Sequence, residues 1–210
     1  MKKSFLKQSF QNKYYLCIVM ARNVEFNEEQ AIDKAMEVFW KNGYTATSMR
    51  DLTDAMKINS SSLYNTIGDK HTLFIKCLEQ YTAQRQQRFL ELVQGDSSPL
   101  ERLKYLINVV AESIDQTPAA CMAIKASFEL AEQDTAVHSI LKKDLNFSFE
   151  QVKMLLEQAC IVGEVDADMD IDATAHYVVN SFTGWYEMYV LYKNKDLIRN
   201  MSSFLIKTLL

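Results

Sequence analysis

The scarcity of helix-breaking residues constrains this chain more than any other feature of its sequence. Its 210 residues include only five glycines and two prolines, whereas Leu, Ala, Glu, Lys and Gln are plentiful. The plentiful residues favour helices and the scarce ones interrupt them, so the composition favours long uninterrupted helices. Hydrophobic residues make up 48% of the chain, which is enough to build a core. We therefore expect an all-α protein.

Charge and cysteine usage narrow the class of protein. The four cysteines, Cys17, Cys77, Cys121 and Cys160, form no CxxC pair and have no zinc-like spacing with the three histidines. This pattern predicts free thiols in the reducing cytoplasm, with no metal site and no cofactor. The net charge of −4 gives no overall basic signature, so nucleic-acid binding must come from a local motif. No apolar run approaches the ~20 residues of a membrane-spanning helix, and we expect no membrane partner.

Residues 1–19 form an upstream extension of the chain. Lys2 and Lys3 precede a short apolar stretch, Tyr14 to Met20, that faintly resembles a secretory leader, but Gln11-Asn12-Lys13 interrupts the apolar region. The sequence from Met20 resembles a natural start ahead of a capped helix. We therefore expect residues 1–19 to be a poorly ordered extension and not a leader.

Capping and turn residues divide the remaining chain into nine predicted helices. Asn, Ser, Thr and Asp side chains cap helix N-termini, whereas Gly and Pro mark the ends of helices and the starts of new ones. The first three helices are too short to be stable alone and must pack on one another, and the fourth connects them to the rest. The spans are 27–42, 47–56, 59–67, 70–93, 99–116, 119–132, 135–161, 172–193 and 195–210.

The second and third helices have the arrangement of a helix-turn-helix. They are separated by Lys57-Ile58-Asn59, and the third begins with three small hydroxyl residues, Ser60-Ser61-Ser62. A recognition helix must be slim at its exposed N-terminus to enter the major groove, where short hydroxyl groups can donate and accept hydrogen bonds. Leu63 would anchor this helix, and Tyr64, about 100° further round, can face phosphate.

The sequence around this motif resembles the DNA-binding domain of TetR/AcrR transcriptional regulators. The similarity lies in FWKNGYTATSMRDL from Phe39, AMKINSSSLYNTIGDK from Ala55, and Leu73-Phe74. Four features are shared with the family: a glycine at the end of the first helix, Thr-Ser at the start of the second, the Leu-Tyr pair of the recognition helix, and a Lys at the first position of the fourth helix. No Walker loop, HExxH or nucleophile elbow occurs, so we predict no enzymatic activity.

The resemblance implies a domain organisation and a function. An N-terminal three-helix helix-turn-helix domain would occupy residues 20–70, and a C-terminal helical domain for effector binding and dimerisation would occupy residues 71–210. The chain would be a DNA-binding transcriptional regulator, a repressor that a small-molecule effector releases from its operator. Its partners would be double-stranded operator DNA, a small apolar or aromatic effector, and a second copy of the chain in a homodimer.

Two other functions stay open from the sequence. The first is a DNA-binding adaptor that binds constitutively without an effector, and the second is an all-α binding module whose helix-turn-helix is structural. An effector-dependent release from an operator would distinguish a repressor from the adaptor. Failure to bind DNA would favour the binding module.

Carried over position by position, the resemblance implies DNA contacts from three segments. Residues at the start of the second helix contact the DNA backbone or a base. The three serines of the recognition helix read bases or phosphates, and Tyr64 and Lys70 bind phosphate. The alternative role for Thr47 is a helix N-cap, and the alternative for Tyr64 is an aromatic side chain packed in the core. The implied contacts are Thr47, Ser48, Arg50, Ser60, Ser61, Ser62, Tyr64 and Lys70.

The motif departs from the family pattern at three positions. Lys57 occupies the turn position that usually carries Gly, so the turn either tolerates a left-handed lysine at some cost or shifts slightly. Ile67 replaces the usual aromatic at the end of the recognition helix, and Asn65 replaces a frequent His. These changes affect which bases are read.

The predicted DNA-binding domain also needs its charges segregated. Residues 20–70 contain six Lys or Arg against eight Asp or Glu, a net charge of −2. A face that binds phosphate therefore requires the acidic residues of the first helix to point away from DNA. These acidic residues are Glu28, Glu29, Asp33 and Glu37.

The C-terminal half carries the remaining predictions. Residues 172–193 are apolar or aromatic nearly all round, so this helix needs two partners, and in the family the last two helices form the dimer interface. The family also places an effector pocket in this half, for which the alternative is ordinary core. Cys121, near a helix N-terminus, is a candidate thiol sensor of oxidants or electrophiles. The candidate pocket residues are Met122, Phe128, Met154, Phe182, Trp185 and Tyr186.

Overall fold

A computed structural model describes residues 27–115 and 121–209 of the chain. Within these ranges the chain is helical with short connections and no strand, which confirms the all-α prediction. The expectation of a poorly ordered extension at residues 1–19 lies outside the described residues. The helices are α1 (Glu28–Asn42), α2 (Met49–Met56), α3 (Ser60–Thr66), α4 (Lys70–Val93), α5 (Pro99–Ser113), α6 (Met122–Glu129), α7 (Thr135–Ile161), α8 (Ile171–Tyr192) and α9 (Lys195–Lys207).

Side-chain caps set most of the helix N-termini. Asn27 accepts a hydrogen bond from the Gln30 backbone N–H at 3.0 Å, which begins α1 as the sequence indicates. Asn59 and Asp69 cap α3 and α4 in the same way. At α2 the cap is Ser48, whose hydroxyl accepts from the Asp51 N–H while the Asp51 carboxylate accepts from the Ser48 backbone N–H.

Helix α6 is shorter than the sequence indicates. It ends at Glu129 and not near 132, because the residues that follow form a tight turn. In this turn the N–H groups of Gln133 and Asp134 both donate to the Leu130 carbonyl, at 3.0 and 2.9 Å. Asp134 then caps α7, which spans the predicted range.

Two hydrophobic cores organise the helices. The first joins α1–α4, with Phe39, Leu52 and Leu63 at its centre, and also includes Met122 of α6 and Val137 of α7. The second lies among α4, α5 and α7–α9 around residues such as Leu106, Leu155 and Trp185. Helix α4 contributes its first half to one core and its second half to the other, so it connects them rigidly.

No helix within residues 27–115 and 121–209 is both long enough and apolar enough to cross a membrane.

Candidate DNA-binding surface and internal cavity

The turn between α2 and α3 adopts a left-handed conformation at a lysine. Lys57 has φ 56° and ψ 40°, and the next residue, Ile58, donates its N–H to the Thr53 carbonyl at 3.2 Å. Of the two alternatives for a lysine at this position, the chain therefore keeps the left-handed turn. A side chain in that conformation costs roughly 1–2 kcal/mol relative to the right-handed region.

Helix α3 buries one face and exposes the other. Leu63 and Ile67 are buried in the first core, which anchors the helix. Tyr64 is 55% exposed, so the alternative of a packed aromatic does not describe it. Ser60 and Ser61 are also exposed and Ser62 is half-buried, whereas Asn59 serves as the cap by accepting from the Ser62 N–H at 2.7 Å. A slim polar helix end is thus presented to solvent.

Of the candidate contacts before α3, two lie at the surface and one does not. The Arg50 side chain is 90% exposed, with Nε 3.7 Å from the Asp54 carboxylate. Ser48 is exposed at the α2 N-terminus, and its hydrogen bonds hold the pKa of Asp51 below its usual value. Thr47 is buried and its hydroxyl donates to the Gly43 carbonyl at 2.6 Å. The predicted DNA contact at Thr47 is therefore corrected: its side chain closes the α1–α2 turn and is not free to reach a ligand.

Lys70 lies at the first position of α4, close to the same surface. Its ammonium nitrogen is 4.3 Å from the centre of the Tyr44 ring. Tyr44 in turn packs edge-on against Phe74, with ring centres 4.9 Å apart. The cation is thus positioned over an aromatic face while its side chain stays partly exposed.

Side chains of α4 bind two of the acidic residues of α1. Lys76 forms an ion pair with Glu28, and the Gln80 amide donates to the Asp33 carboxylate. Glu37 lies 3.7 Å from Lys34 in an exposed pair. Two of the four acidic residues therefore face α4, in keeping with segregation of charge.

Helix α6 binds the backbone at the end of α1. The Lys125 ammonium donates to the carbonyls of Trp40 and Lys41, at 2.9 and 3.1 Å. Glu129 accepts the Tyr44 N–H at 2.8 Å. Gly43 lies between these contacts with φ 82°, and a Cβ atom there would lie 2.8 Å from a Glu129 carboxylate oxygen. The sequence identified Gly43 only as a helix end and gave no sign of its partner.

A cavity of about 670 Å³ lies among α1 and α4–α8. Of the six residues predicted to line a pocket, Phe182 and Tyr186 do so. The other four lie elsewhere, which corrects the prediction for them. Met122 is buried in the first core and Trp185 faces a groove between α8 and α9. Phe128 is 82% exposed, and Met154 is on α7 outside the cavity lining.

The cavity wall carries two polar clusters that sequence reasoning missed. Tyr81 Oη lies 3.1 Å from Cys121 Sγ, and burial, aided by the nearby thiol, raises the pKa of Tyr81. Burial likewise raises the pKa of Tyr186 to about 12, so both phenols are neutral. In the second cluster Arg85 donates to the Asp144 carboxylate at 2.6 Å and to the Ser148 hydroxyl at 2.9 Å.

The outer surface of α8 and α9 carries large exposed apolar side chains. Leu191 and Tyr192 near the end of α8 and Phe204 of α9 are more than 60% exposed. The groove between the two helices is lined by residues that include Gly184 and Met201. The opposite side of α8 is buried in the second core, so this helix has two apolar faces, as its sequence indicates.

Two family models match the chain. The model described as "Bacterial regulatory proteins, tetR family" matches residues 31–77, which contain α2 and α3. The model described as "Tetracyclin repressor-like, C-terminal domain" matches residues 99–205, which is half of the chain.

Similar proteins and structures agree with these matches. The chain is 27% identical over 165 residues to the HTH-type transcriptional regulator YezE of Bacillus subtilis, covering 77% of this chain and 85% of the relative. It is 27% identical over 158 residues to the HTH-type transcriptional repressor ComR of Escherichia coli, covering 73% and 74%. In fold it resembles a cysteine mutant of the regulator CifR solved with 26 bp operator DNA, with a TM-score of 0.79, 22% identity and coverage of 90% and 100%.

Proposed function

Because this chain belongs to the TetR family of bacterial regulatory proteins, we propose that it represses transcription by binding operator DNA as a homodimer and leaves the operator when a small molecule enters its cavity. The helix-turn-helix of residues 20–70 would bind DNA, and residues 71–210 would bind the effector and the second subunit. The protein would act in the cytoplasm and without catalysis, since its output is a change in DNA occupancy.

One observation carries the DNA-binding proposal. Helix α3 buries Leu63 and Ile67 while it exposes its serines and Tyr64, so a rigid anchor supports a polar surface slim enough for the major groove. We assign base or phosphate contacts to Ser60, Ser61 and Ser62 and a phosphate contact to Tyr64. Ser48, Arg50 and Lys70 would add backbone contacts from the flanking helices.

The test is binding to the DNA immediately upstream of the protein's own gene, followed by fluorescence anisotropy across a salt series. Tyr64→Ala should weaken binding roughly tenfold, because a hydrogen bond to a charged phosphate contributes about 1.5 kcal/mol. Tyr105→Ala is the matched control, since Tyr105 is 57% exposed on α5, outside the proposed surface. The affinity of all variants should fall steeply with salt.

Either of two results would contradict the DNA-binding part of the proposal. Binding of Tyr64→Ala that equals that of wild type and Tyr105→Ala would remove α3 as the reading helix. No binding at low salt, to this DNA or to a random-sequence pool, would make the helix-turn-helix a structural element. Salt-sensitive binding that no small molecule affects would instead favour a constitutive adaptor.

We assign the dimer interface to the outer face of α8 and α9. A two-fold operator requires two recognition helices about 34 Å apart, which one chain cannot supply. The exposed apolar residues Leu191, Tyr192 and Phe204 support this face. Phe204→Glu should shift the protein toward monomer in analytical ultracentrifugation and weaken operator binding. Ile161→Glu, at a residue of α7 that is 83% exposed, is the control and should stay dimeric.

Effector control would pass through α6. Its residues Ile124 and Ser127 line the cavity, whereas Lys125 contacts the last turn of α1 and Glu129 contacts the backbone that follows it. A molecule that displaces α6 would therefore also displace the α1–α2 turn, which leads into the first helix of the helix-turn-helix. Phe182 and Tyr186 supply part of the apolar wall that such a molecule would contact.

A thiol sensor is a second candidate for the input signal. Cys121 lies in the cavity wall next to Tyr81, where an electrophile that enters would meet it. Treatment with N-ethylmaleimide should then alkylate Cys121 and release operator DNA. Cys121→Ser should abolish the release, whereas Cys160→Ser should not. Release that persists in Cys121→Ser would eliminate this candidate.

A further inference from the structure

We propose that the effector is an amphipathic anion, with its acidic group at the mouth of the cavity and its apolar part inside. The inference deepens the effector proposal and rests on it. Its basis is a pair of cationic side chains at the rim, Arg88 of α4 and Lys142 of α7, for which residues 27–115 and 121–209 supply no acidic partner.

Side chains of α4 and α7, two helices that the Arg85–Asp144 ion pair joins, lie at the rim of the cavity. Gln84 and Arg88 are four residues apart on α4, and His138 and Lys142 are four residues apart on α7. This spacing places each pair on one side of its helix. All four residues line the cavity and all four are exposed, so they mark the edge where the cavity meets solvent.

The charge at this rim is unbalanced. Among the described residues of the lining the one carboxylate is Asp144, which forms a 2.6 Å ion pair with Arg85 and accepts from the Gln86 amide at 3.1 Å. Within the described parts of the chain, neither Arg88 nor Lys142 has an acidic group within 4.0 Å. Two uncompensated positive charges thus lie beside an apolar interior, a geometry that attracts anions.

The interior is suited to the apolar part of such a molecule. Phe89, Leu106 and Val110 form its wall on α4 and α5, and Phe182 of α8 lies across from them. The volume of about 670 Å³ is within the range of cavities that enclose drug-sized ligands. A cationic ligand would be repelled at the rim and would find the Asp144 carboxylate already paired. A neutral one would gain nothing from the two cations.

Octanoate and 1-octanol test the inference, because they share a chain and differ in charge. Their binding to the full-length dimer can be measured by isothermal titration calorimetry at pH 7.5. Octanoate should bind about tenfold more tightly than 1-octanol, and the difference should shrink as salt rises. Arg88→Gln and Lys142→Gln should each weaken octanoate binding several-fold and leave 1-octanol binding unchanged. Lys143→Gln, at an exposed neighbour that does not line the cavity, should change neither.

The outcomes separate this inference from the effector proposal. Equal affinities for octanoate and 1-octanol, or equal effects of Lys142→Gln and Lys143→Gln, would overturn the anion alone. In that case Val110→Trp, which fills the cavity, should still abolish binding of both probes. Absence of binding by both probes at millimolar concentration would overturn the anion and count against the effector proposal as well. A folded circular dichroism spectrum for each variant excludes loss of structure as the cause.

Discussion

The ion pair between α4 and α7 should stabilise the protein in a way that depends on both partners. Asp144 is 5% exposed and binds Arg85 through both carboxylate oxygens, at 2.6 and 3.3 Å. Burial acts to lower the pKa of Arg85, but the Asp144 carboxylate together with the Cys121 and Tyr81 side chains more than offsets this, so the pKa is raised and the guanidinium stays charged. Asp144→Ala would leave that charge half-buried with two neutral partners among the described residues, the Ser148 hydroxyl at 2.9 Å and the backbone carbonyl of residue 144 at 3.4 Å.

The expected cost follows from how buried the orphaned charge is. Removing one partner of a fully buried pair costs about 3–5 kcal/mol. Because the Arg85 side chain is 32% exposed and can regain some water, we expect the lower figure of about 2–3 kcal/mol for Asp144→Ala. For a domain of this size each kcal/mol lowers Tm by about 2–4 °C, so Tm should fall by roughly 4–12 °C.

The assay is urea denaturation followed by circular dichroism, with a double variant and a surface control. Arg85→Met with Asp144→Leu removes both charges and should be close to wild type in stability, since an apolar pair of similar volume replaces the ion pair. Glu101→Gln breaks the more exposed pair with Lys104 and should cost under ~0.5 kcal/mol. The prediction is refuted if the free energy of unfolding of Asp144→Ala lies within ~0.5 kcal/mol of wild type, or if the double variant is as unstable as Asp144→Ala.

Three further perturbations test the turns and the surface charges. Lys57→Gly should raise the free energy of unfolding by up to about 1 kcal/mol. Glycine relieves the strain of the left-handed conformation, but the greater entropy of its unfolded state offsets part of that stabilisation. An unchanged urea midpoint would contradict the strained turn. Gly43→Ala should lower the free energy of unfolding by about 1–3 kcal/mol, because φ is 82° and the new Cβ would clash with the Glu129 carboxylate. An unchanged free energy of unfolding would be incompatible with that contact. Hydrogen bonds from Arg199 lower the pKa of Glu112 to about 2, so this carboxylate stabilises the folded state above its unfolded pKa of 4.5 and loses that effect as pH falls to 2. Glu112→Gln should therefore flatten the acid side of a Tm-against-pH curve, and an unchanged curve would remove the ion pair as its cause.

Local signals were sufficient to predict most of the helices. The caps at Asn27, Asn59 and Asp69 act over three residues, so the sequence alone contains the partners that begin α1, α3 and α4. The exposed side of α3 was predictable for the same reason, since Leu63 and Tyr64 are adjacent and must face different directions. The family matches and the helical fold agree with this part of the sequence analysis.

The cavity was less predictable because its wall comes from helices that are distant in sequence. Composition drew attention to Met122 and Trp185, yet which side of a helix faces a cavity depends on the neighbours that the fold supplies. Tyr81 and Cys121 meet across 40 residues, and Glu129 meets the Tyr44 N–H across 85. Thr47 was misassigned because its hydroxyl donates to the buried Gly43 carbonyl, and the turn geometry that brings the two together is not specified by the sequence.

The brevity of α6 has a consequence for how the protein fluctuates. It contains eight residues, and Cys121 at its N-cap position makes no side-chain capping hydrogen bond within the described chain. Two helical turns without a cap are marginal alone, so the amide hydrogens of α6 should exchange with deuterium sooner than those in the middle of α4 or α7. Lys125 and Glu129 bind the backbone at the end of α1 and just after it. Operator DNA should therefore slow the exchange of α6, and an effector that loosens α6 should quicken it. By thermodynamic reciprocity, DNA must then weaken effector binding by the same factor by which the effector weakens DNA binding.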